Sequence, residues 1–118
     1  MAHLPTLTPI TSSWMHELMD ATGVLNQLLE KHGSPINIHQ TDVMDENYES
    51  YHRVFEEAGL KHKIFFARKA NKTRGVVQKA HSLGMGIDTA SYQEYSQCLE
   101  MGIPGSDLIV TAAVKNRG

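Results

Sequence analysis

From residue 64 onward the chain alternates short apolar runs with longer amphipathic stretches, and that alternation leaves few folds open to it. The spacing predicts strands over 64–68, 85–88 and 108–112, with helices over 72–83 and 92–101 between them. Strands joined by single helices pair in parallel through right-handed crossovers. The run from Ile64 to Ala67 has no polar alternation, which predicts a strand buried on both faces. Lys69 then follows at the carboxyl end of that strand, where α/β folds place their sites.

Upstream the pattern is helical. Residues 1–11 carry two prolines and three threonines with little periodicity, and read as an extended arm. A helix starts at Ser12 or Ser13, with a serine cap and the apolar residues Trp14, Leu18, Val24, Leu25, Leu28 and Leu29. Gly23 is placed to bend or divide it, and Gly33 with Pro35 ends it. Residues 36–39 alternate and predict a short strand. Thr41 or Asp42 then caps a helix reaching Ala58, with Met44, Tyr48, Tyr51 and Phe55 on one stripe and Gly59 as its stop.

A chain of 118 residues holds one small domain with a core. A formal net charge of -2 argues against a duplex-binding surface, so the expected partner is a small molecule and not a nucleic acid. No apolar run is long enough to span a bilayer, and the start has neither the charges nor the apolar stretch of a signal peptide. The single cysteine, Cys98, reads as a core or helix-face residue with no base beside it in sequence. With no disulfide possible within the chain, the expected compartment is the cytoplasm. His32, His39, His52, His62 and His81 fall in different elements without an i, i+4 histidine pair, so no metal site is assigned.

The alternating pattern stops after its third strand at Val114-Lys115-Asn116-Arg117-Gly118, whereas a complete barrel of this kind needs about 250 residues. The expectation is an N-terminal fragment. Lys69 itself has two readings: a strand-end lysine reaching into solvent, or an amine prepared for Schiff-base chemistry by desolvation or nearby cations. Arg68 and Lys72 offer such charge, although adjacent strand residues point to opposite faces.

Phe66-Ala67-Arg68-Lys69-Ala70-Asn71 resembles the aromatic-Ala-x-Lys-Ala/Cys-Asn signature of the fold type III pyridoxal-phosphate enzymes. That group contains the diaminopimelate, ornithine and biosynthetic arginine decarboxylases and is related to alanine racemase. Gly86 to Glu94 resembles the family's next strand and turn, and Ile109 to Lys115 resembles a later strand ending in lysine. The likeness runs collinearly over residues 24–118. It lapses where Ala112-Ala113-Val114 lacks the glycine or proline usual before that lysine, and where Tyr92-Gln93 replaces a small pair, which leaves the substrate open.

The resemblance implies an α/β fold: the N-terminal portion of a (β/α)8 TIM-type barrel of the alanine racemase-like kind, preceded by a helical segment. Residues 1–35 are then arm and helix, and residues 36–118 the first, incomplete part of the pyridoxal-phosphate-binding barrel. It implies pyridoxal 5'-phosphate as cofactor, Lys69 as the Schiff-base lysine, and Ala67 and Asp88 beside the cofactor. Asp88 reads equally as a turn residue before the next helix. Ser91-x-x-Glu94 has the spacing of a capping box, so Glu94 is first a helix cap and second a site candidate, and Lys115 is either a site or a tail residue.

The implied activity is decarboxylation of an amino acid, such as diaminopimelate in lysine biosynthesis, or ornithine or arginine, by a homodimer. The 118 residues by themselves are expected to be inactive. An alanine racemase-like or pyridoxal-phosphate carrier protein is the alternative within the family. A non-catalytic truncated or regulatory homologue, binding a protein partner through the unfinished sheet, is the alternative outside it.

Overall fold

Three short strands, β1 (Phe65–Ala67), β2 (Gly86–Thr89) and β3 (Leu108–Val110), form a parallel sheet in the order β1-β2-β3. The pairing sets Ala67 against Asp88 and Asp88 against Ile109. Two helices, α4 (Arg74–Ser82) and α5 (Tyr92–Glu100), supply the β-α-β crossovers that the alternation predicts. The structure is a computed structural model and describes residues 7–113. It divides into two compact units between Gln40 and Thr41.

In the second unit, α3 (Val43–Glu57) precedes the sheet. Its end shows how the turns are built. Gly59, at φ 66°, donates to the Glu56 carbonyl while Leu60 donates to that of Phe55, a closure that needs a left-handed residue after the helix. At the end of α4, Gly84 (φ 85°) and Met85 repeat those two bonds to His81 and Ala80. Met85 is thereby delivered into the core one residue before β2.

That core comprises Val77 and Ala80 of α4, Ile87 of β2, Cys98 of α5, and Met85 and Ile103. Met44 and Tyr48 of α3, with Phe66 and Leu108, pack against it. Phe66, Ile87 and Leu108 are in register and occupy the face the helices cover. The expectation of a first strand buried on both faces is not met. All three residues of β1 are half-buried, and in the row that Ala67 shares with Asp88, Ile109 is 43% exposed. β1 is also shorter than expected, since the chain tightens at Arg68 into a 3-10 turn, Arg68–Ala70.

The first unit contains α1 (Ser13–Asp20) and α2 (Thr22–His32). The division falls at Ala21 (ψ 55°), not at Gly23, which lies within α2. Ser12 occupies the cap position but its hydroxyl makes no capping bond; its carbonyl accepts from Met15. None of the described residues 7–40 is buried. The strand expected over 36–39 does not form. The sheet of the described residues is made by β1, β2 and β3, and alternation alone does not supply a ladder.

Candidate functional site

Lys69 and Asp88 lie toward the carboxyl ends of neighbouring parallel strands. Asp88 occupies β2 opposite Ala67, so their side chains share the sheet face away from α4 and α5. Ala67 keeps that row low beside the carboxylate. The Oδ1 atom of Asp88 is buried with no hydrogen-bond partner among the described residues, a costly state for a carboxylate oxygen unless a donor is supplied to it. Lys69 follows in the 3-10 turn beyond β1 and is exposed. A cavity of about 330 Å³ runs along β1, lined by Tyr48 and Tyr51 of α3 and by Phe65, Ala67 and Ala70.

Sequence reasoning missed what positions this turn. Arg68 is only 3% exposed and points to the helix-covered side. One of its guanidinium nitrogens, Nη1, donates to the Glu94 carbonyl at 2.6 Å and approaches Cys98 Sγ at 3.6 Å, while Nη2 donates to Gln97 Oε1 at 2.6 Å. Strand parity carried the signal, since Arg68 shares the parity of Phe66, which faces the core. Arg68 is held to α5, while Lys69 beside it is exposed. Arg68 is thus a structural tie.

Glu94 behaves as the capping spacing predicts, with one refinement. Its backbone N–H donates to Ser91 Oγ at 3.2 Å, and its Oε2 accepts from the N–H of Ala90, one residue earlier than the box requires, at 2.8 Å. Its Oε1 lies 3.0 Å from Lys72 Nζ. The Ala90 N–H first, and then the Lys72 ammonium, hold the Glu94 carboxyl below the usual carboxylate range. One carboxylate therefore joins the loop after β1, through Lys72, to the loop after β2, through Ala90. Lys115 lies outside the described residues.

His52 of α3 and His62, which lie in different elements as the sequence indicates, meet at 2.8 Å between Nδ1 and Nε2, with Glu56 close by. The i, i+4 spacing of His52 and Glu56 was the available sign.

The amine, the small residue and the unpartnered carboxylate oxygen fit a polar aldehyde cofactor. Comparison with known proteins agrees with that chemistry. Residues 42–118 match the family described as pyridoxal-dependent decarboxylase, pyridoxal binding domain. The chain is 34% identical over 110 residues to an uncharacterised protein, y4yA, of Sinorhizobium fredii, covering 92% of this chain and 24% of that one. It is 32% identical over 83 residues to a lysine/ornithine decarboxylase of Selenomonas ruminantium (70% and 20% covered). It is 30% identical over 77 residues to a diaminopimelate decarboxylase of Bacillus subtilis (65% and 18% covered). The chain thus spans between about a fifth and a quarter of the length of these relatives. No solved structure matches it significantly.

Proposed function

The chain belongs to the pyridoxal-dependent decarboxylases, within their pyridoxal binding domain, and from that premise we propose that it carries the cofactor-bonding lysine, Lys69, of an enzyme that decarboxylates a diamino acid. The cofactor of the family is pyridoxal phosphate. When bound, it supplies a conjugated ring that draws in the electron pair of the breaking carbon–carbon bond.

The protein's contribution is placement. The ε-amine of Lys69 bonds an aldehyde in its unprotonated form, and the exposed turn leaves that amine accessible. Asp88 accepts a hydrogen bond that no described residue gives it, and Ala67 leaves room beside it. Arg68 and Glu94 hold the two loops in which the site lies. The observation that carries the reading is the unpartnered Asp88 oxygen one strand over from the lysine-bearing turn.

In this reading, residues 36–118 are the first part of a (β/α)8 barrel, Lys115 is a further site candidate, and a homodimer completes each site. Groups for the cofactor phosphate and ring nitrogen come from beyond the described residues. A diamino acid is favoured because relatives are named for diaminopimelate and for lysine or ornithine.

The test is carbon dioxide release from carboxyl-labelled diaminopimelate, lysine, ornithine and arginine by the protein that carries this domain. We expect release from one of them, its abolition in Lys69→Ala, and none from the 118 residues alone. Racemisation without release, or release that survives Lys69→Ala, would overturn the proposal.

A further inference from the structure

A second constellation lies at the other end of the sheet, among residues that lead into β1 and β2. His52 and Glu56 stand about one turn apart on α3 and share a face. The Gly59 turn reverses the chain and returns His62 to that face, where its Nε2 lies 2.8 Å from His52 Nδ1. The donor atoms of the three side chains all lie within 4.8 Å of one another.

The rings are held from both sides. Tyr48 stacks on His52 with centroids 5.6 Å apart and planes 7° from parallel, and Phe55 stacks on His62 at 4.8 Å and 17°. His62 Nδ1 lies 3.1 Å from the Leu60 carbonyl. A carbonyl only accepts, so the proton sits on Nδ1 and the lone pair of the neutral ring is on Nε2, facing His52. Metal-binding imidazoles are commonly oriented by such a bond on the nitrogen away from the ion.

We infer that His52 Nδ1, His62 Nε2 and the Glu56 carboxylate bind a divalent ion of the zinc class. Two imidazoles and a carboxylate are donors suited to zinc, and they leave a fourth position for water. That position opens into a cavity of about 500 Å³. Lys61 and Lys63 also line the cavity; Lys63 is paired with Asp107, and Glu56 brings negative charge to the ion. At Zn–N distances of about 2.0–2.1 Å, a tetrahedral ion separates two nitrogens by about 3.4 Å. Binding therefore replaces the hydrogen bond between the rings, with the proton of His52 Nδ1 moving to its Nε2 through solvent, and opens the pair by about half an ångström. The ion links α3 to the segment entering β1, on the side away from Lys69, so its role is to brace the fold.

Zinc chloride titrated by calorimetry into the chelator-treated full chain should bind at one equivalent and raise Tm. His52→Ala and His62→Ala should each weaken binding by at least about 10-fold, as should Glu56→Gln. The Glu56 side chain is 63% exposed, so its variant keeps the test valid if a histidine variant fails to fold. His32→Ala, in the first unit, should change nothing. Cobalt in place of zinc should give the visible absorption of a tetrahedral site, lost in the same three variants. Absence of saturable zinc uptake, or parental affinity in any of the three, overturns the assignment.

Discussion

Arg68 and Lys69 are neighbours with the same charge and opposite situations. Arg68 has the parity of Phe66 and is drawn under α5, where the Glu94 carbonyl and the Gln97 amide oxygen accept from its two terminal nitrogens. Lys69, one residue further into the 3-10 turn, is exposed. Glu94 then gives the residue scale its pH dependence. Its folded pKa lies below the unfolded value of 4.5, so its stabilising contribution is complete above about pH 5 and is lost as pH falls through the depressed folded value. Glu94→Gln should cost about 1 kcal/mol at pH 7, since the cap and the Lys72 pairing both weaken. In urea denaturation that gap should narrow markedly at pH 3. A gap of equal size at both pH values would contradict the assignment of the carboxylate's role.

Among the elements, the approach of β1 to β2 depends on a missing side chain. A Cβ on Gly86 would lie 2.2 Å from the Phe65 ring and 2.9 Å from the backbone oxygen of Asp107. Gly86→Ala must therefore push the aromatic ring and a neighbouring chain segment together, at about 1–3 kcal/mol. A midpoint in chemical denaturation unchanged from the parent would mean that this close packing is not real. The three strands and their helices were legible in the sequence because apolar runs, glycine stops and the Ser91 cap all point the same way there. Residues 36–39 misled because alternation signals a strand only where a partner strand is present. The α1–α2 break was placed at Gly23 because glycine is the expected breaker, yet the turn at Ala21 is closed by backbone bonds to Glu17 and from Val24, which leave no mark in composition. The sequence placed Lys69 and Asp88 toward the carboxyl ends of neighbouring strands, and the structure has them there. The buried Arg68 tie was not legible, because a long charged side chain reads as solvated until its partners on α5 are known. The meeting of His52 and His62 was hidden for a similar reason, since it depends on a turn returning the chain to the face it had left.

At the scale of the whole molecule, the burial is unequal. Every buried residue among those described lies in the second unit, which also holds Lys69 and Asp88, while the described part of the first unit has none. Within the second unit α4 and α5 cover one sheet face, and Ala67, Asp88 and Ile109 share the other, where Ile109 is 43% exposed. A barrel interior would occupy that side, and it is the side on which the proposed cofactor chemistry depends. The most direct test is to give the protein one equivalent of pyridoxal phosphate, reduce it with borohydride and map the modified peptides by mass spectrometry. The stable adduct should be concentrated on Lys69, ahead of Lys31, Lys61, Lys63, Lys72 and Lys79. An adduct spread evenly over all of these amines, or concentrated elsewhere with Lys69 unmodified, would overturn the role proposed for Lys69.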